Sequence, residues 1–398
     1  MKSINFLCLI LFISSCNGTG HNLYHIDPRS FNDNRITLSE IADDIKYIQL
    51  DNIIPIGITY AFKMTEEYIY LSIKDVGIVQ YEHNGKFVRK VGSRGKGPGE
   101  YRYGMNFTVD ELSGNVFVLD PGIVKIYSPS GIFLKDISLK EYDGSLGFRD
   151  IEIYNSLLFF PDYLSTGHSK YCWVFLDTLG HFVSMKKNSV PPFKPGIEMV
   201  GGTYKFENNL FYYNYYNDTI FSISPDLSNS AAYLFAQGNH RWTDGKIEGL
   251  DPRSTSFISQ VYRLFRVGRM FETDKFIVVV FAYQERFAIC LIDKKTKKTF
   301  LANKYEETTG SNTKYKPYII NDLDGGMPLT EDLTYYAVNE KEYITTLINP
   351  INLKVHVSGN EFKNKVNIYP EKKKDLEKLA NSLKETDNPV LVLVSLKK

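Results

Sequence analysis

Residues able to bind or react are spread along this chain rather than gathered in one motif. The densest stretch is Gly92-Ser-Arg-Gly-Lys-Gly-Pro-Gly-Glu-Tyr-Arg102, which sets Arg94, Lys96, Tyr101 and Arg102 among four glycines. A Walker loop needs Gly-Lys followed by Ser or Thr, and a dinucleotide fingerprint must open a helix. Here Gly97 follows Lys96, Pro98 removes an N–H donor, and Glu100 would repel phosphate. The stretch reads instead as a structural elbow, with Gly97-Pro98-Gly99 suited to a type II turn.

Asp322-Leu-Asp324-Gly325 with Glu331 matches four positions of a calcium loop, but Ile320 stands where the first ligand should be. An Asp/Gly turn is the expectation. The chain has no His-Glu-x-x-His zinc motif and no Gly-x-Ser-x-Gly nucleophile elbow. No cofactor is expected. Calcium or zinc remains an option only if ligands converge from distant segments, as could happen around His168 and His240.

The elements that must position these residues are strands. The 28 tyrosines and 26 phenylalanines suit pleated surfaces. Six stretches place a polar turn before an apolar run: Thr65–Leu71, Glu111–Leu119, Tyr154–Phe160, Glu207–Tyr213, Glu272–Val280 and Glu331–Ala337. A second hairpin turns at Gly85, Gly131 and Gly180, spaced 46 and 49 residues apart. Ser224-Pro-Asp-Leu, Asp293-Lys-Lys-Thr and Asn349-Pro-Ile-Asn hold the matching place later. Four short strands per such period predict an all-β, six-bladed propeller of four-stranded antiparallel blades over residues 36–398. The terminal strands, within 36–50 and at Val390–Val394, would close the ring, one end completing a blade begun by the other. A short C-terminal helix is expected over 371–386, with Leu376, Leu379 and Leu383 on one face. Residues 238–266 read as a loop insertion in the fifth unit.

Residues 1–15 read as an address: Lys2, an apolar run from Ile4 to Phe12, and then Ile13-Ser-Ser-Cys16. The run is too short to stay as a membrane span. Cys16 is expected to carry lipid, with 16–35 as a polar tether. Asn17-Gly-Thr-Gly20 lacks acids, which favours the periplasmic side of the outer membrane over the cell surface. Cys172 and Cys290, each among apolar neighbours, are expected to be unpaired thiols. The formal net charge of +1 and the single basic run Lys372-Lys-Lys374 argue against nucleic acid.

Lipobox, the Leu38-Ser-Glu-Ile-Ala-Asp-Asp-Ile-Lys-Tyr-Ile48 segment, the glycine-rich elbow and Asn388-Pro-Val-Leu-Val-Leu-Val394 together resemble the six-bladed propeller lipoproteins of Bacteroidetes. That resemblance implies fold and address and leaves activity open. The expected role is a lipid-anchored, non-catalytic binding or scaffolding module for an envelope glycan, peptide or protein. The alternative is a propeller enzyme, either a metal-dependent lyase or lactonase or a glycan-cleaving protein, with its site at the channel mouth. Candidate ligand residues are Arg94, Lys96, Tyr101 and Arg102 on the elbow, Arg149 (beside Asp150) in the third unit, and His240, Trp242 and Arg263 in the fifth.

Overall fold

The computed structural model describes residues 23–32, 34–142, 148–193, 201–235, 254, 263–284, 286–302, 305–309, 312–338 and 341–397. They form a six-bladed β-propeller. Blade 1 comprises Thr59–Met64, Tyr68–Ile73, Gly77–Glu82 and Phe87–Val91. Blade 2 is Asn106–Val109, Val116–Asp120, Ile123–Tyr127 and Phe133–Ser138; blade 3 is Glu152–Tyr154, Leu157–Pro161, Tyr171–Asp177 and Phe182–Lys187. Blade 4 is Gly202–Phe206, Asn209–Tyr213, Thr219–Ile223 and Asn229–Phe235; blade 5 is Arg266–Glu272, Phe276–Tyr283, Arg286–Asp293 and Thr299–Ala302. In each, the first strand lines the axis and the fourth lies at the rim.

Sequence explains this layering. The middle strands are almost continuously apolar because a blade is covered on both faces by its neighbours; Val116–Asp120 is buried at every position. Rim strands have only one covered face, so Phe133–Ser138 and Phe182–Lys187 are largely exposed.

Blade 6 joins the two ends of the chain. Thr334–Val338 pairs with Lys341–Ile348, which pairs with Val390–Leu396, which pairs in turn with Ala42–Gln49. A single amide latches this seam. Asn388 donates from Nδ2 to the carbonyls of Asp51 (2.6 Å) and Ile54 (2.7 Å) and accepts the Ile56 N–H at 2.8 Å. Its own N–H donates to Asn52 Oδ1 at 2.7 Å.

Three expectations change. Glu331–Ala337 leads into the innermost strand of blade 6, as a turn before an apolar run, but Asn349-Pro-Ile-Asn352 is not a hairpin turn. Proline at the first helical position there starts the helix Pro350–Ser358 instead, because no strand partner follows until Val390. That helix, Asn360–Asn364 and Pro370–Ser382 bury Leu353, Val357, Phe362, Leu376, Ala380 and Leu383. A hairpin, Tyr305–Thr309 with Asn312–Lys316, also stands between blades 5 and 6. Finally, the described part of the expected tether is a docked strap. Tyr24–Ile26 pairs parallel to the rim strand of blade 4, Phe31 packs on Phe281 with centroids 5.4 Å apart, and the Asn32 N–H donates to Thr299 Oγ1 at 2.8 Å.

Replacing Asn388 with Leu removes every side-chain bond of the latch and strands buried backbone groups, each costing about 1–3 kcal/mol. Denaturant unfolding of Asn388→Leu should show a loss of about 3 kcal/mol or more. An unchanged midpoint would contradict the latch.

Candidate functional site

The innermost strands enclose an axial channel of about 770 Å³, lined by residues from all six blades. Gly201 and Gly202 let the first two strands of blade 4 pack closely at the channel wall, since a Cβ there would strike the Tyr213 carbonyl and hydroxyl. At the mouth formed by the connections into the inner strands, Ile58, Tyr60, Tyr103 and Met105 are all exposed, and Tyr60 and Met105 also line the channel. This lip is apolar and aromatic.

Deeper in, the channel is charged. Glu152 of blade 3 pairs with Lys63 of blade 1, and its second oxygen lies 3.8 Å from Lys205 Nζ of blade 4. Blades 1 and 4 stand opposite each other in a six-membered ring, so one carboxylate ties the walls across the throat. Asp150 sits just above, accepting the Ile151 N–H at 2.9 Å and the Tyr163 hydroxyl at 2.8 Å. Tyr163 also contacts the Thr203 hydroxyl, which bridges blades 3 and 4. Asn106 of blade 2 donates to the Arg149 carbonyl at 2.7 Å.

Burial, reinforced by the neighbouring Glu152 charge and partly offset by Lys63, pushes the Asp150 carboxyl up to about 6. Burial pulls the Lys63 ammonium down, yet Glu152 and Asp150 outweigh it and hold its pKa above the usual lysine value. Lys205 lines the channel with its side chain 47% exposed, and burial of its ammonium deep in the ring draws its pKa below the lysine norm. Burial also raises Glu111, at the far end of the channel near Lys205.

The structure redistributes the residues singled out from sequence. Tyr101 is not at the mouth: it is 1% exposed, its hydroxyl accepting the Ile78 N–H at 2.8 Å and donating to the Val91 carbonyl at 3.0 Å. It fastens the elbow, whose type II turn is present, with Gly99 at φ +75° and the Glu100 N–H 3.1 Å from the Gly97 carbonyl. Arg94 pairs with Asp75 at 3.0 Å, and Arg102 lies beside Asp120 with its N–H on that carboxylate. These three serve blade-to-blade connections, and neither they nor Lys96 line the channel. The reason is geometric: the elbow folds back over the outer part of blades 1 and 2 before the chain reaches the axis. Arg149 offers its carbonyl to channel-lining Asn106, and its neighbour Asp150 faces the void. The Arg263 carbonyl accepts the Gln284 N–H at 3.3 Å. His240 and Trp242 lie outside the described residues.

The calcium-loop acids are used locally: Asp322 accepts from Ser39, and Asp324 from Asn321 and Gly326. Ile320 supplies a backbone carbonyl to Leu38. His168 bonds the Phe193 carbonyl at 2.9 Å. Among the described residues no group of three His, Cys, Asp or Glu side chains could hold a metal ion, and no helix is long and apolar enough to cross a membrane. Cys172 and Cys290 are free thiols on blades 3 and 5.

The throat charges escaped the sequence reading, although a signal existed. Phe62-Lys63-Met64, Ile151-Glu152-Ile153 and Tyr204-Lys205-Phe206 each set one charge between apolar residues just before a unit's first turn. A lone charge on an axial strand points at the channel, because its neighbours take the buried faces.

A family model described as a domain of unknown function, DUF4934, matches residues 23–395. The chain belongs to that family. Among solved structures it is similar to a Bacteroides fragilis protein designated as exported, at 18% identity and TM-score 0.66, covering 94% of this chain and 100% of that one. Weaker likeness extends to a DUF4221 member from Bacteroides vulgatus (12% identity, TM-score 0.43, 92% and 99% covered). It extends also to virginiamycin B lyase from Staphylococcus aureus (10% identity, TM-score 0.41, 76% and 95% covered). No curated protein matches the sequence.

Asp150 sets a pH dependence. Its folded pKa, about 6, lies above the ordinary 3.8, so the folded chain holds this proton more tightly than the unfolded one. Stability contributed here is present at low pH and declines between about pH 4 and pH 6, by ~2–3 kcal/mol in total. The stability of wild type relative to Asp150→Asn should fall across that window in chemical denaturation. A flat difference would contradict the shifted carboxyl.

Proposed function

We propose that this DUF4934 protein is an exported, Cys16-anchored envelope propeller that binds a glycan fragment or short peptide in its central channel without transforming it. The observation that carries the reading is the channel itself: about 770 Å³, with an aromatic lip and a charged throat. That volume falls in the range of ligand pockets, roughly 300–1,000 Å³. Tyr60 and Tyr103 offer ring faces to sugar C–H groups or to apolar side chains. Asn106, Lys205 and Glu111 supply donors and acceptors below them. The walls are fixed by the blades, so little entropy is lost on binding. A protein partner would engage the same site by inserting a loop.

The address rests on the lipobox ending at Cys16, and the likeness to an exported Bacteroides protein supports it. The acid-free Asn17-Gly-Thr-Gly20 favours a periplasm-facing outer-membrane position. A second reading, glycan cleavage, draws on Asp150, a carboxyl that holds its proton near pH 6 beside Glu152. Binding is the better account, since Glu152 is engaged by two lysines and Asp150 by Tyr163 and the Ile151 N–H.

Two measurements test this. Arrays of envelope oligosaccharides and short peptides should show capture by wild type, weakened at least about tenfold in Lys205→Met with an unchanged melting temperature. Capture unaffected by Lys205→Met, or none by wild type, contradicts channel binding, and release of shortened glycan products moves the reading to cleavage. Separately, Cys16→Ser should lose labelling by a palmitate analogue and its membrane association, and a salt-resistant, unlabelled membrane fraction would refute the anchor.

A further inference from the structure

On the described outer rim, exposed large apolar side chains cluster in one sector. Among the described residues of rim strands and the turns leading into them, they occur only on blades 2 and 3: Ile132, Leu134, Leu179, Phe182, Val183 and Met185, between 37% and 66% exposed. They form one surface. The blade 3 turn leans on the blade 2 rim strand, with Lys135 Nζ 3.2 Å from the Leu179 carbonyl and the Tyr142 ring stacked on Phe182 at 6.2 Å. Three lysines, Lys135, Lys186 and Lys187, share these rim strands with the acid Asp136, which is already paired with Lys125.

The neighbouring sector is where the N-terminal segment meets the fold. Tyr24–Ile26 runs along the rim strand of blade 4, next to blade 3. Leu23 follows Cys16 by only seven positions. At about 3.5 Å per residue, an acyl chain on Cys16 would keep the blade 4 rim within roughly 25 Å of the bilayer.

We propose that the rim of blades 2 and 3 docks on the anionic lipid surface in which Cys16 is anchored, so that the propeller stands on its edge with the channel axis along the membrane. The inference rests on the Cys16 anchor proposed above. Apolar side chains flanked by Lys135 and Lys187 match an interfacial surface, where rings and aliphatic groups enter the headgroup layer and ammonium groups meet phosphates. A second copy is a poorer occupant, because a two-fold contact would set the same lysines against each other. Docking also covers the open sheet edge at Phe182–Lys187. In this orientation both channel mouths stay open to solutes diffusing parallel to the membrane.

Amide hydrogen exchange of the full acylated chain tests the proposal, comparing vesicles of phosphatidylethanolamine and phosphatidylglycerol with detergent micelles. Exchange across 132–135 and 179–187 should slow at least about tenfold on vesicles, while the blade 1 rim strand, 87–91, stays the same. In Phe182→Glu/Met185→Glu, with its melting temperature checked in detergent, that protection should vanish while the chain still floats with the vesicles. Equal exchange in both settings with the chain attached overturns docking and leaves the anchor standing. Protection that survives the double substitution, or that appears in detergent together with a dimer, overturns it in favour of a protein contact. Failure of the wild-type chain to attach at all refutes the anchor, and the orientation with it.

Discussion

Everything in this molecule depends on joining its two ends. A propeller gains its stability by packing each blade against two neighbours, and an open ring would leave two blades half bare. Here Ala42–Gln49 and Val390–Leu396, over 340 positions apart in sequence, pair along their length, with Ile45 opposite Val394 and Tyr47 opposite Val392. Val390–Leu396 is almost wholly branched aliphatic, Ala42–Gln49 contributes Ile45 and Ile48, and the Asn388 latch ties the seam to the 51–56 loop. Helices inserted before Val390 bring the C-terminal strand back to this seam rather than forming a separate domain, since their apolar faces share the main core with Ile41 and Ile45.

Closure creates the channel, and the channel explains charges that would otherwise be out of place. Lys63, Glu152 and Lys205 sit on strands from blades far apart in sequence, and only the closed ring brings them together. The arrangement is nearly self-neutralising, which lets charge persist deep in the ring. It leaves Lys205 as the most exposed of the three. Asp150 bears the strain of this crowding, as its raised pKa records.

Much of the fold was legible because it rests on local chemistry. Turn glycines such as Gly85 and Gly131, at φ +89° and +78°, announce hairpins by their own conformational demand. The period between them measures a blade. The sixth unit misled because its outer strands come from elsewhere in the chain, so Asn349-Pro350 stood where a turn belonged and started a helix instead. The site was far less legible. Tyr101 and Arg102 looked like recognition residues by type, but recognition and blade fastening use the same aromatic and guanidinium groups; burial withdraws Tyr101, while Arg102, still exposed, lies beside Asp120 and away from the channel. Convergence of Lys63, Glu152 and Lys205 is a property of the closed ring and has no local spacing to reveal it.

The proposed function puts the ligand in the axial channel and not on the elbow or the rim. A footprint tests it most directly: amide exchange with and without saturating amounts of a captured oligosaccharide or peptide. Binding in the channel should slow exchange on the axial strands Thr59–Met64, Glu152–Tyr154 and Gly202–Phe206 together, with the elbow 92–102 unchanged. Protection confined to the elbow or the rim strands, with the axial strands unaltered, would contradict it.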